Sequence, residues 1–200
     1  FLLPRLMPQI AGAFPQMKLY LREDMTDNLL TALTEGRLDV LLLALPWDIQ
    51  HAEILPLFRD PFRLACRSGS SLLESGRVRA DRLPAESVLL LEDGHCLRDH
   101  ALSACRLRQP DRLNRFAASS LFTLVQMVAA DLGVTYLPAM AEGSSLLEGT
   151  GIVTHSLDAR AYRDIGLVWR EGSARADEFR ELGTLIDACR PVGVLDLPGH

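Results

Sequence analysis

The sequence predicts an α/β fold in two lobes, on three observations. Apolar runs such as Val40–Leu45 and Val88–Leu91 have strand length and little alternation, the pattern of strands covered on both faces. Between such runs lie segments with apolar residues at helical spacing, so strand and helix patterns alternate along the chain. The alternation is run through twice, with a Ser-, Gly- and Arg-rich stretch at residues 68–80 between the passes.

In order, the chain opens on Phe1-Leu2-Leu3-Pro4 and enters an apolar repeat at Leu6, Ile10 and Phe14, so it reads as a piece of something longer. Residues 18–23 alternate and predict a strand. Residues 24–35 set Met25, Leu29, Leu30 and Leu33 on one helix face, closed by Gly36. Val40–Leu45, ending at Pro46, completes a strand-helix-strand unit. Residues 53–58 and 62–66 predict two further strands.

In the second pass, residues 87–91 predict a buried strand, 97–107 a helix and 113–117 a strand. Residues 119–131 predict a helix capped by Ser119 or Ser120 and ended by Gly133, and 134–137 a strand running to Pro138. Ile152–Ser156 and residues 164–169 supply two more strands. Residues 175–190 form a last helix with Phe179, Leu182, Leu185 and Ile186 on one face. Crossings near residues 63–67 and 163–165 are expected to make a two-stranded hinge with a cleft between the lobes. The expected division is 1–65 plus 165–200 for one lobe and 66–164 for the other.

With 200 residues, 48% hydrophobic and 24% charged, the chain can bury an ordinary core. Its net charge of -5 argues against gripping nucleic acid through a basic face of its own. The apolar runs fall far short of the ~20 residues of a membrane-spanning helix, and no membrane partner is expected. Four cysteines, Cys66, Cys96, Cys105 and Cys189, are too few for a disulfide scaffold, so a reducing compartment is expected, where a disulfide is transient or sensing. Cys66, in an apolar strand, and Cys189, near the end of the last helix, match no motif and read as structural.

The chemistry is concentrated in residues 89–105. Cys96 falls where a buried strand ends and a helix begins, at unpaired N–H groups carrying a partial positive charge. With His95, Arg98 and His100 nearby, that setting favours a thiolate, the species that reacts with peroxide. The competing reading makes Cys96 a small apolar core residue. If one helix ran through Cys96 and Cys105, the two would stand ~13.5 Å apart along its axis on opposite faces. A disulfide tolerates at most ~7 Å between Cα atoms, so joining them requires unwinding, and oxidation would exchange one local packing for another. Closing a loop of about ten residues offsets roughly 2.5–3 kcal/mol of unfolded-state entropy, enough only for a loosely packed segment. Asp99, His100, Ser103 and Arg106 give the helix a polar outer face.

The run Glu92-Asp93-Gly94-His95-Cys96-Leu97-Arg98-Asp99, with Cys105 nine residues after Cys96, resembles the sensor motif of the OxyR family, the LysR-type hydrogen peroxide regulators. Phe1-Leu2-Leu3-Pro4, Gly36-Arg37-Leu38-Asp39, Val128-Ala129-Ala130, Gly133-Val134, Leu137-Pro138 and Ile165-Gly166-Leu167-Val168 resemble landmarks of that group, so the likeness extends to about Arg190. It implies a two-lobed fold like the type 2 periplasmic binding proteins and a DNA-binding winged helix-turn-helix upstream of Phe1. It also implies homodimers pairing into tetramers, a cytoplasmic transcriptional activator that engages RNA polymerase, and a thiol reductant such as glutaredoxin for reset. No cofactor is implied, and the chain would be a switch, not an enzyme.

Carried over residue by residue, the resemblance makes Cys96 the peroxide-reacting thiol and Cys105 its resolving partner in a reversible disulfide. It assigns Thr26, Gly94, His95 and Arg163 to the peroxide pocket. Taken by themselves, Thr26 reads as a helix-capping hydroxyl, Arg163 as a surface strand arginine and His95 as a turn histidine. The sequence departs from the family pattern at Arg115-Phe116-Ala117-Ala118-Ser119-Ser120 and at Phe122, and a further pocket hydroxyl of the family would fall before Phe1.

Three other functions fit parts of the pattern. A thiol peroxidase would share the first step at Cys96 but shows no thioredoxin-like Cys-x-x-Cys. A LysR-type effector domain for a small anionic metabolite would use Arg163 and the helix terminus at Thr26. A zinc site would draw on His95, Cys96, His100 and Cys105, of which only the i, i+4 pair has suitable spacing.

Overall fold

The structure, a computed structural model, describes residues 1–45, 49–72, 83, 86–105, 113–157 and 160–198. Pro46, most of the 68–80 stretch and the end of the helix expected over 97–107, Arg106 included, lie outside the described residues. The chain forms two compact units, Phe1–Asp60 with Asp164–His200, and Pro61–Arg163. It passes between them twice, at Asp60–Pro61 within strand β2 (Ala52–Arg67) and at Arg163–Asp164 within strand β7 (Tyr162–Arg170).

In the first unit, helix α1 (Leu3–Ala13) buries Leu6 and Ile10 of the apolar repeat, with Phe14 as its half-buried C-cap, and packs on helix α5 (Ala176–Ala188). Helix α2 (Thr26–Thr34) lays Leu33, with Leu29 and Leu30, against Leu41 and Leu45 of strand β1 (Val40–Leu45) and Val168 of β7. β1 runs antiparallel to β7, with Val40 opposite Trp169 and Leu45 opposite Asp164. Gly166 has no room for a side chain, since a Cβ there would lie 2.8 Å from the Leu55 carbonyl oxygen and 2.8 Å from Leu45.

Residues 18–23 do not form the expected strand. Alternation makes a ladder only when a neighbouring strand supplies hydrogen-bond partners, and none of the described residues does so. Tyr20 and Leu21 are exposed accordingly. β1 is not covered on both faces either: it stands at the end of the strand order, and Leu42 is exposed.

The second unit contains the rest of β2, strand β3 (Val88–Leu91), helix α3 (Cys96–Ala104), strand β4 (Leu113–Ala118), helix α4 (Leu121–Ala129), and strands β5 (Thr135–Pro138) and β6 (Ile152–Ser156). β2 pairs antiparallel with β5 through Phe62 to Ala65 and with β6 through Arg63 to Arg67. It is one strand where two were expected. Pro61, which has no N–H to give a ladder, stands at the passage between units without ending the strand.

β3 and β4 are parallel, and a parallel bridge joins Val88 to Val134. The order β3, α3, β4, α4, β5 is thus two successive strand-helix-strand crossovers. The unbroken apolar run of β3 follows from its position. Val88 and Leu90 belong to one core with Phe62, Leu64, Tyr136 and Ala101, while Leu89 and Leu91 belong to a second with Leu124, Val128 and Ala118. Gly133 permits the close approach of the following turn, since a Cβ there would sit 2.6 Å from the Ser87 carbonyl oxygen. Phe116 and Phe122, at two of the positions that depart from the family pattern, are exposed.

Candidate functional site

β3 ends at Leu91, and after four intervening residues α3 begins at Cys96. The loop between them is held at both ends: Glu92 N–H donates to the Ala118 carbonyl at 3.0 Å, and Gly94 turns the chain at φ +92, a conformation that favours glycine. Arg98 braces the turn from within the helix. Its Nη1 donates to the Leu91 carbonyl at 2.9 Å, and its Nε lies 2.8 Å from the Asp93 carboxylate. Arg98 is therefore engaged by the loop that precedes Cys96.

Cys96 is the first residue of α3, half-buried, after the N-cap His95. The His95 side chain makes no capping bond, and the Arg98 N–H closes the first turn on the His95 carbonyl at 2.9 Å, which leaves the positive end of the helix at Cys96. Cys105 stands at the other end as the C-cap, its N–H donating to the Ala101 carbonyl at 3.0 Å. It packs with Leu97, Leu102 and Ala104 against the core of Phe62, Leu64 and Tyr136, and burial pushes its thiol up to about 12. Both thiols are free. Helical geometry spaces residues nine apart by ~13.5 Å along the axis, beyond the reach of a disulfide.

Arg163 closes the second unit. Its Nη2 lies 3.8 Å from Met140 Sδ and its guanidinium carbon 5.9 Å from the centre of the Phe62 ring. It is half-buried, which corrects the surface-arginine reading. His100 of α3 is held below the ordinary histidine range, first by burial and then by the Arg163 charge, against the opposing pull of Asp99. Arg163 and the face of α3 that carries His100 are thus electrostatically linked.

Of the pocket residues expected from the resemblance, Gly94, His95 and Arg163 lie in the second unit with both thiols, and Thr26 lies in the first. Thr26 is not a cap: Met25 holds the N-cap position of α2, and the Asp24 carboxylate accepts from Met25 N–H at 2.8 Å and from Asn28 at 2.7 Å. Those bonds and Arg22 hold Asp24 down to about 2. His95, Cys96, His100 and Cys105 do not converge as a metal-binding group. Cys66 is buried in β2, its thiol pushed up by burial and by the Asp131 charge, and Cys189 caps α5. Met140 and the coupling of His100 to Arg163 were not foreseen. The i, i+4 spacing of Cys96 and His100 was in plain view, but nothing in the sequence brings the first residues of β7 beside α3.

A family profile described as the LysR substrate binding domain matches residues 1–190. The DNA-binding transcriptional dual regulator OxyR of Escherichia coli is 36% identical over 188 residues, 94% of this chain and 62% of that protein. The chain therefore spans less than two thirds of the length of this curated relative. Among solved structures, the reduced form of the regulatory domain of OxyR2 from Vibrio vulnificus is 46% identical with a TM-score of 0.88, covering 94% of this chain and 89% of that one. An H2O2-bound mutant of Corynebacterium glutamicum OxyR is 30% identical with a TM-score of 0.83, covering 94% of this chain and 60% of that one.

Proposed function

Since this chain belongs to the LysR substrate-binding domain family, we propose that it is the hydrogen peroxide-sensing regulatory domain of a LysR-type transcription activator, switched by a reversible Cys96–Cys105 disulfide. The observation that carries the reading is the placing of two free thiols at opposite ends of one nine-residue helix. One sits at the helix N-terminus, where the N-cap side chain makes no bond, and the other packs against the core.

Peroxide reacts at Cys96, giving a sulfenic acid and water. Cys105 attacks that sulfur, a second water leaves, and the disulfide forms. Because an intact α3 keeps the sulfurs apart, the helix unwinds before they meet. Gly94 leaves the approach to Cys96 open, and His95 and Arg163 supply hydrogen-bond donors to the peroxide oxygens. Thr26 enters the pocket on the resemblance alone. The exchange of a helical segment for a disulfide loop changes subunit packing in a homodimer or homotetramer and moves a DNA-binding domain supplied by the rest of the protein. RNA polymerase then reads the change, and a thiol reductant such as glutaredoxin resets it in the cytoplasm.

The test is a non-reducing peptide map after one equivalent of hydrogen peroxide. Cys96 linked to Cys105, with Cys66 and Cys189 still free, supports the reading. An unmodified Cys96, or a linkage to another cysteine, contradicts it. Continued consumption of peroxide with a thiol reductant would favour a peroxidase instead, since a sensor need react only once for each signal.

A further inference from the structure

α3 is helical without interruption from Cys96 to Ala104, so His100 lies one turn after Cys96 on the same face. Residues so spaced have Cβ atoms about 5–6 Å apart. Helical side chains lean toward the N-terminus, so the turn within reach of an imidazole at position 100 is the one that begins with Cys96. His100 is half-buried, and the positive charge of Arg163 on β7 disfavours its protonation.

We propose that His100 takes the Cys96 thiol proton and delivers it to the departing oxygen of the peroxide, a role that rests on Cys96 being the peroxide-reacting thiol. In this step the Sγ–H proton passes to the imidazole and the freed electron pair on sulfur forms the S–O bond. The O–O bond breaks, sulfur is oxidised by two electrons and peroxide is reduced by two. The departing hydroxide takes the proton back from the imidazolium, leaving a sulfenic acid, one water and neutral His100.

The chain keeps the imidazole in the form this step needs. Burial and the Arg163 charge favour neutral His100, which can accept a proton, and Asp99 on α3 opposes them. Arg98 is turned back to the loop. β3, which packs on α3, brings no ionisable side chain, and the core shared with α3 contributes Cys66, Cys105 and Tyr136. On β2, Arg63 is occupied by Ser156 and Glu142.

The experiment follows the rate of Cys96 sulfenic acid trapping with a dimedone probe, from about pH 5 to about pH 8, in the intact chain and in His100→Gln. The unsubstituted chain should slow on the acid side, below the ordinary histidine range, as His100 becomes protonated. His100→Gln should react about 10²-fold more slowly near neutrality and lose that acid limb. Glutamine keeps the size and a hydrogen-bonding head, so a merely structural role would leave rate and profile unchanged, and that result overturns the proposal.

A second measurement needs no change at His100. The imidazole titration followed by NMR should shift between the unsubstituted chain and Cys96→Ala, and identical midpoints would equally overturn it. If Cys96 is not oxidised in the unsubstituted chain, the sensor reading falls together with this one. If Cys96 is oxidised with the same pH profile in both proteins, only the role of His100 falls.

Discussion

α3 and α4 are helices of equal length, nine residues each, that follow successive strands of one unit, yet they are held very differently. α4 buries Leu124, Val125 and Val128, and its N-cap Ser120 accepts from Thr123 N–H at 3.1 Å. α3 fully buries only Ala101 and has no side-chain cap. Burying an aliphatic side chain contributes about 1.5–3 kcal/mol, so three of them hold α4 by several kcal/mol, while α3 relies on a methyl group and on half-buried Leu97 and Leu102. Closing a ten-residue disulfide loop itself costs roughly 2.5–3 kcal/mol of chain entropy, so the sulfurs can meet only where the helix to be undone is lightly held, as α3 is and α4 is not. The helix with a thiol at each end is the one that can be given up.

The largest test of this contrast removes the chemistry. Cys96→Ser should abolish peroxide-driven disulfide formation while leaving both helices folded, as seen by circular dichroism and a non-reducing gel. Next, Leu124→Ala should cost about 2–5 kcal/mol of stability in denaturant melts, because it opens a cavity in the core beneath α4. Ala101→Gly in α3 should cost only about 1 kcal/mol globally, yet it should speed disulfide formation after peroxide, which stopped-flow quenching can follow. If the two substitutions cost the same, the contrast fails.

Smaller effects sharpen it. Ser120→Ala should cost about 1 kcal/mol through the lost cap of α4, whereas His95→Ala at the corresponding position of α3 removes no cap bond. Acidification should act on α3 alone. His100 is held below its ordinary range by burial and Arg163, so the fold favours its neutral form. That contribution is complete above the ordinary histidine range near pH 6.5 and is lost as pH falls through the lower folded value. Amide protection of α3 should therefore decline between about pH 7 and pH 5 while that of α4 holds.

What the sequence disclosed follows the same division. The apolar run of β3 and the periodic α4 were legible because their residues are buried by neighbours close in the chain, and so was the start of α3 at Cys96 to within one residue. Residues 18–23 misled, because alternation cannot say whether a partner strand is present. β2 was expected as two strands, 53–58 and 62–66, where the structure has one that runs from one unit into the other. Thr26 looked like a cap because it is the first hydroxyl of α2, while Asp24, two residues earlier, holds the bonds there. At the site, both thiols and the glycine turn could be read from one continuous stretch. The approach of Arg163 to α3 could not, since it depends on where β7 is laid more than sixty residues later.

The most direct measurement is hydrogen exchange resolved over Cys96–Ala104 and Leu121–Ala129, in the thiol form and after one equivalent of peroxide. Conversion of the Cys96 and Cys105 thiols to a disulfide should strip protection from the first segment and leave the second as it was. A disulfide formed with α3 still fully protected, or with both helices opened together, would contradict the account.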